Sequence, residues 1–320
     1  MFNKNTSKVL TLVLMIALLT ATIPLVSAAT EGTSTGTATV GNNVPVLSGV
    51  DITDTVPASV NTQQIDVNVE YWVVATVTDT NGLTDLDTVV FTIWDAVATT
   101  KPGADNVANH YTFKYTQATD VWEEVGPDPT TDSHLVVANC VDPASLPGEF
   151  KLAFKLDKVA GHADTAIWDI DITVTDDLAG SDSDATLSFG VNYYAEIVVN
   201  DATHGWTGLS ASDTDILLTA PGDFDIDVTT TQNGLSDLQG SGDGALTKGG
   251  DTIPLANVKI HKDTLGSAVS LTVTPTDIGG LTSIAAGSAT ANAFKLWITV
   301  PAECPPGDYV YILTVGIVHT

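Results

Sequence analysis

Between Val46 and Tyr193 apolar and polar residues alternate with period two. Tyr111, Phe113 and Tyr115 alternate with His110, Thr112 and Lys114, and Phe150, Leu152, Phe154 and Leu156 with Glu149, Lys151 and Lys155. Trp168, Ile170, Ile172 and Val174 interleave with Asp169, Asp171 and Thr173 in the same way. Successive side chains of a strand point to opposite faces, so each run reads as a strand with one face in a core and one in water. Trp72–Val77 is largely apolar on both faces, which marks a central strand.

Tyr71–Trp94 sets two such runs around Asp79-Thr80-Asn81-Gly82. Asn and Gly tolerate the positive φ of tight turns, and the connection exceeds two residues, so it predicts a looped hairpin or a corner between sheets. Thr76-Val77-Thr78-Asp79 recurs as Thr173-Val174-Thr175-Asp176, and in both copies Asp follows at the same offsets, as Asp85 and Asp87 and as Asp182 and Asp184. We read the echo as two strands of one sandwich, since the intervening chain does not repeat.

Around Asn192–Asp201 the pattern restarts. Phe224-Ile226-Val228, Val258-Ile260, Val269-Leu271-Val273, Leu296-Ile298-Val300 and Tyr309–Ile317 predict further strands, separated by Gly-rich turns such as 240–244. Leu281–Ala291 could hold a short helix, and Pro301–Gly307 reads as a rigid corner before the last strand. Strands bounded by polar turns without helical periodicity predict an all-β protein, two consecutive antiparallel β-sandwich domains of Ig-like type. The predicted segments are a signal peptide at 1–28, a flexible tail at 29–45, and sandwiches at 46–193 and 194–320.

The leader has Lys4 and Lys8 before the apolar run Val9–Val26, with small residues at Ser27-Ala28-Ala29 for cleavage. An uncleaved anchor is the alternative, as the run approaches spanning length; no later segment does. Thr30–Val44 is rich in Thr, Ser and Gly and reads as a flexible tail, or as a donor strand through Thr37–Val40.

Charge narrows the function. The chain holds 39 acidic and 11 basic residues, net −28, and every basic residue is Lys. Such a surface repels phosphate backbones and lacks the Arg fork, which argues against nucleic-acid partners. Repulsion between copies is relieved by salt or divalent cations. Both methionines, Met1 and Met15, fall in the leader, as suits an oxidising exterior.

The run from Val46 through Tyr194, with TVTDTNGLTDLDTV and WDIDITVTD, resembles Ig-like modules of secreted surface proteins from archaea and some bacteria. The second half resembles the module often found beside it, through Ile253–Val258, Trp297–Pro301 and Pro306–Tyr309. The resemblance implies cell-surface layers, sheaths or fibres and no enzyme activity; it carries over no catalytic residue.

Hard cations such as Ca²⁺ take several oxygen ligands, which carboxylates at alternate loop positions supply. Asp79, Asn81, Asp85 and Asp87 form one candidate Ca²⁺ site; Asp176, Asp182 and Asp184, with Asp177 beside them, form a second. The alternative is that these side chains bond turn backbone and face water. Cys140 and Cys304 could form a disulfide clamping the halves, worth about 4–5 kcal/mol in the chain-entropy model; they could equally be buried thiols or link subunits. The histidines show no metal-ligand spacing, and no nucleophile or phosphate-loop motif occurs. Most tryptophans sit in core-forming strands; Trp122 and Trp206 look more exposed and could stack on sugars. The expectation is a secreted, extracellular structural subunit that associates with itself or with other surface proteins and does not span the membrane after cleavage. The alternatives are a surface adhesin or carbohydrate-binding module, and a secreted hydrolase.

Overall fold

The computed structural model describes residues 41–101, 105–126 and 134–320. The expected leader and the Thr37–Val40 donor strand lie outside the described residues. Within them the protein is all-β, with isolated 3-10 turns and no α-helix. The first half contains β1 (Val46–Thr53), β2 (Gln64–Ile65), β3 (Glu70–Thr78), β4 (Leu86–Asp95), β5 (His110–Thr116), β6 (Val121–Gly126), β7 (Gly148–Lys155), β8 (Ala163–Asp176) and β9 (Ser181–Val191). They form a three-stranded sheet, β1-β3-β7, and a six-stranded sheet, β2-β9-β8-β4-β5-β6. All pairs are antiparallel except β2 with β9.

Period two dictates which residues meet between the sheets. On β3, Tyr71, Val73, Ala75 and Val77 are buried, while Trp72, Val74 and Thr76 are half-buried on the outer face. Lys151 Nζ lies 4.0 Å from the centroid of the Trp72 ring, so an amphipathic lysine covers that face. The inner faces lock through aromatic contacts across the sandwich. Tyr115 and Phe150 ring centroids are 5.2 Å apart, and Phe113 and Phe154 are 6.2 Å apart. Each such pair contributes about 0.5–1.5 kcal/mol beyond its buried area.

The Tyr71–Trp94 stretch is a corner rather than a hairpin, because β3 and β4 belong to different sheets. It turns at Gly82, φ 94°, a conformation a side chain resists, and continues through the 3-10 turn Leu83–Asp85.

The second half contains β10 (Ala195–Val199), β11 (Ile216–Leu217), β12 (Ile226–Gln232), β13 (Ser236–Gly242), β14 (Leu246–Lys248), β15 (Asp251–Ile253), β16 (Val258–His261), β17 (Val269–Ser270), β18 (Thr276–Asp277), β19 (Gly287–Ile298) and β20 (Leu313–His319). One sheet runs β10-β12-β19-β16-β17 with β11 added to β19; a second runs β18-β13-β20, and β14-β15 is a separate hairpin. The helix considered for Leu281–Ala291 does not form. Its C-terminal part opens β19, where pairing with β12 overrides a weak local preference. The last strand starts at Leu313, later than expected, because the backbone just before it bonds elsewhere: Val310 pairs with Thr247, and Ile312 with Asp243, in place of a ladder with β13.

Buried apolar side chains gather into two clusters, one between Ile52 and Val191 and one between Leu218 and Val300. A polar and aromatic seam joins the halves. Tyr194 N–H donates to Asn233 Oδ1 at 2.8 Å, Tyr193 and Ser236 share a hydroxyl contact of 2.8 Å, and the His162 and His319 rings lie 4.5 Å apart.

A charged pair, His134 and Glu124, is buried at the margin of the first core. His134 is buried, with Nδ1 2.8 Å from Glu124 Oε1, Nε2 3.5 Å from Asp157 Oδ2, and its backbone N–H donating to Glu124 Oε2 at 2.8 Å. Burial favours the neutral ring, but contacts with Asp157 and Glu124 outweigh it and raise the pKa from 6.5 to about 9. A raised folded-state pKa stabilises fully below 6.5 and loses that stabilisation as pH climbs through about 9. The melting temperature of the wild type should therefore decline across that window, and His134→Gln should flatten the slope while lowering stability at neutral pH; differential scanning calorimetry against pH reads both. Face assignment has its own check. In urea titrations Phe113→Ala, at a fully buried position, should lose about 3–5 kcal/mol. Val125→Ala, on the wet face of β6, should stay within about 0.5 kcal/mol.

Candidate cation centre and aromatic cleft

At one end of the first sandwich, β1 and β4 begin where β3 and β8 end, and β9 begins there too. The ladders fix this, pairing Val46 with Thr78, Leu86 with Asp176 and Thr175 with Ser181. The two Thr-Val-Thr-Asp copies are thus the ends of strands in opposite sheets that finish side by side. Asp79 from the end of β3, Asp85 from the corner and Asp176 from the end of β8 each place a carboxylate oxygen within 4.8 Å of the other two. Asp79 is 6% exposed and Asp176 1%, while Asp85 is half-buried.

One oxygen of each strand-end aspartate organises its own turn. Asp79 Oδ1 accepts the Asn81 N–H at 2.8 Å, and Asp176 Oδ1 accepts the N–H groups of Leu178 at 2.9 Å and Gly180 at 2.8 Å. A Cβ on Gly180 would stand 2.5 Å from Asp176 Oδ2, so this turn needs glycine for close approach. Asp176 Oδ2 accepts Asn42 Nδ2 at 2.9 Å. The second oxygens of Asp79 and Asp85 are buried without a hydrogen-bond donor among the described residues. No lysine or histidine pairs with any of the three carboxylates among those residues.

The electrostatics follow. Burial, then the charges of Asp79, Asp176 and Asp177, push the Asp85 carboxyl above its ordinary range. The Asn42 amide and the Gly180 and Leu178 N–H groups hold Asp176 below it against the opposing effect of desolvation. The cluster therefore concentrates acceptors and negative charge with no cationic side chain among the described residues to balance them.

The two Ca²⁺ candidates read from sequence supply one cluster, from Asp79 and Asp85 of the first and Asp176 of the second. The other four residues stay outside it. Asn81 Oδ1 takes the Asn43 N–H at 2.8 Å, and Asp87 is exposed on β4. Asp182 Oδ2 takes the Leu47 N–H at 2.9 Å, and Asp184 binds the Thr186 N–H and hydroxyl. Asn42 and Asn43, expected at the end of a flexible tail, are bonded to the junction. Nothing local distinguishes them from the Thr/Gly-rich run before them, because their attachment is a tertiary contact.

Cys140 and Cys304 are free thiols, and the considered bridge is not formed. Each packs against a different core. Desolvation raises the Cys140 thiol to about 11, with its sulfur 3.3 Å from the Ala153 nitrogen.

In the second half a cavity of about 820 Å³ opens between residues 204–211 and 304–311, floored by Leu246, Ile253 and Ile298. Trp206 and Tyr311 line it, their ring centroids 6.4 Å apart at an interplanar angle of 27°. His204 Nε2 lies 2.9 Å from the Tyr311 hydroxyl, and Trp206 Nε1 donates to the Ile216 carbonyl at 3.0 Å. Trp122, expected to be exposed, is 8% exposed and sits 5.9 Å from Phe91 and 5.3 Å from Tyr115. Strand parity explains the correction: Val121, Glu123 and Val125 face out, which turns Trp122 and Glu124 inward.

Among the described residues no helix is long and apolar enough to cross a membrane. No protein-family model and no curated protein matches the sequence. Among solved structures, the Streptococcus agalactiae AgI/II polypeptide BspA C-terminal domain aligns with 86% of this chain and 96% of its own, at 9% identity and a TM-score of 0.22. Dimeric latent PorU from Porphyromonas gingivalis aligns with 84% of this chain and 33% of its own, at 12% identity and a TM-score of 0.14. Superpositions this loose leave the fold to be read from the chain itself: an all-β protein of antiparallel sheets packed face to face.

Proposed function

We propose that the protein is an exported structural subunit of a cell-surface assembly, such as a sheath, S-layer or extracellular filament, and not an enzyme. The observation that carries this reading is the edge of β20. That strand pairs with β13 along its whole length, while no ladder partner occupies its other edge among the described residues. Val310 and Ile312, just before it, and Val318 within it are exposed apolar residues along the same segment. Unpaired strand groups flanked by exposed apolar side chains are the ordinary template for strand addition by another chain. The acidic surface keeps copies apart at low ionic strength, so assembly by this edge is salt-dependent.

A second reading, a surface ligand-binding module, is favoured by the Trp206–Tyr311 cleft, whose stacked rings could take a sugar. The two part on oligomeric state. Negative-stain microscopy and sedimentation of the purified protein in salt should show ordered polymers. The double variant Ile312→Lys, Val318→Lys should sediment as a monomer with its melting temperature retained, since both positions are exposed. Two added lysines reduce the net negative charge, so a loss of assembly is not explained by greater repulsion. A wild type that stays monomeric would remove the structural reading, and polymers untouched by the substitutions would remove the β20 edge.

A further inference from the structure

We propose that the acidic junction of Asp79, Asp85 and Asp176 is a binding site for one calcium ion. The reading is independent of the assembly role and rests on two observations of different kinds. The first is convergence: carboxylates from the end of β3, the β3–β4 corner and the end of β8 bring oxygens within 4.8 Å of one another, and no lysine or histidine among the described residues pairs with them. The second is an unsatisfied acceptor. Asp79 is 6% exposed, its Oδ1 is used by the Asn81 N–H, and its Oδ2 has no donor among the described residues. Asp85 Oδ2 is in the same condition. Buried acceptors are almost always satisfied, and a buried carboxylate facing two others is satisfied by a cation or by a proton.

Geometry and donor type favour calcium. Oxygens up to 4.8 Å apart can lie on opposite sides of an ion whose ligand distances are about 2.3–2.6 Å. Magnesium demands a tighter octahedron and prefers to keep its waters, whereas calcium accepts irregular cages of several carboxylates. The donors are all hard oxygens, which excludes a site built for soft metals. The ion would also do mechanical work. Asn42 bonds the same Asp176, and Val46 pairs beside Asp79 at Thr78, so a bound ion fastens the entry of the chain into β1 to the ends of both sheets.

The test is calcium titration of the purified full chain after chelator treatment, by isothermal calorimetry with melting temperature as a second readout. One saturable site per chain and a calcium-dependent rise in melting temperature are expected. Asp79→Asn and Asp85→Asn should each weaken binding by about tenfold or more, while Asp87→Asn, an exposed neighbour outside the cluster, should leave it unchanged. Folding is monitored in chelator, where Asp85→Asn should melt above the wild type because it removes one of three carboxylates whose oxygens lie within 4.8 Å of one another. Absence of saturable binding to the wild type would overturn the proposal and leave a shared proton as the balancing charge. Equal weakening by Asp87→Asn and Asp85→Asn would overturn it in favour of diffuse attraction to an acidic surface.

Discussion

The pairing of β4 with β8 is the constraint on which the first half depends. Its register runs from Leu86 opposite Asp176 to Asp95 opposite Trp168. Both strands are interior to the six-stranded sheet, so each is held on two sides. A slip by one residue would turn Phe91 and Ile93 out of the core and Thr92 into it, exchanging fully buried apolar groups for a hydroxyl. That penalty fixes the register, and the register in turn brings the start of β4 to the end of β8. The acidic junction is a by-product of core packing: Asp85 and Asp176 are neighbours because Phe91 and Ile172 must be.

The two halves are held by different means. The first is dense in rings, and its sheets interlock through Phe113, Phe154, Tyr115 and Phe150. In the second, the ends of β12 and β13 nearest the seam bury Thr230, Gln232, Asn233 and Ser236. Their amide N–H groups are directed at specific carbonyls: Gln232 Nε2 donates to the Ala285 carbonyl and Asn233 Nδ2 to the Asn192 carbonyl, while Gln232 Oε1 has no donor among the described residues. Hydrogen bonds of this kind add little net stability, but a misplaced partner leaves a buried polar group unsatisfied. The seam is thus specified by direction, and the cores by volume.

What sequence could show divides along the same line. Period two located β5, β7 and β8 and assigned their inner faces, because alternation is a local property that burial enforces directly. The same parity rule, applied to Val121–Val125, turns Trp122 inward, against the expectation that it is exposed. Leu281–Ala291 misled because its Gly, Ser and Ala content says little locally, and β12 decides its fate. At the candidate site, the echo of Thr-Val-Thr-Asp pointed to Asp79, Asp85 and Asp176 but divided them between two loops, whereas the structure gathers the three into one cluster. Which carboxylates meet depends on strand ends in opposite sheets, and no spacing along the chain encodes that. Nor could Asn42 be told from the tail, as its partner lies 134 residues away.

A net charge of −28 is a global property, and its physical consequence is diffuse. Counter-ions gather around such a surface at any composition, and salt screens it over about 8–10 Å. The junction differs in kind. Asp79 and Asp176 are withdrawn from solvent, so bulk salt screens them poorly, and their turns hold them in place through bonds to Asn81, Leu178 and Gly180. Those turn bonds occupy Oδ1 of each; Oδ2 of Asp79 is left without a donor among the described residues, and Oδ2 of Asp176 takes the Asn42 amide. At Asp79 the Asx-turn and cation-binding readings are therefore not rivals: the turn engages one oxygen and leaves the other unbonded. A surface aspartate free to rotate is held in neither way, which is what sets these positions apart in a chain rich in acids.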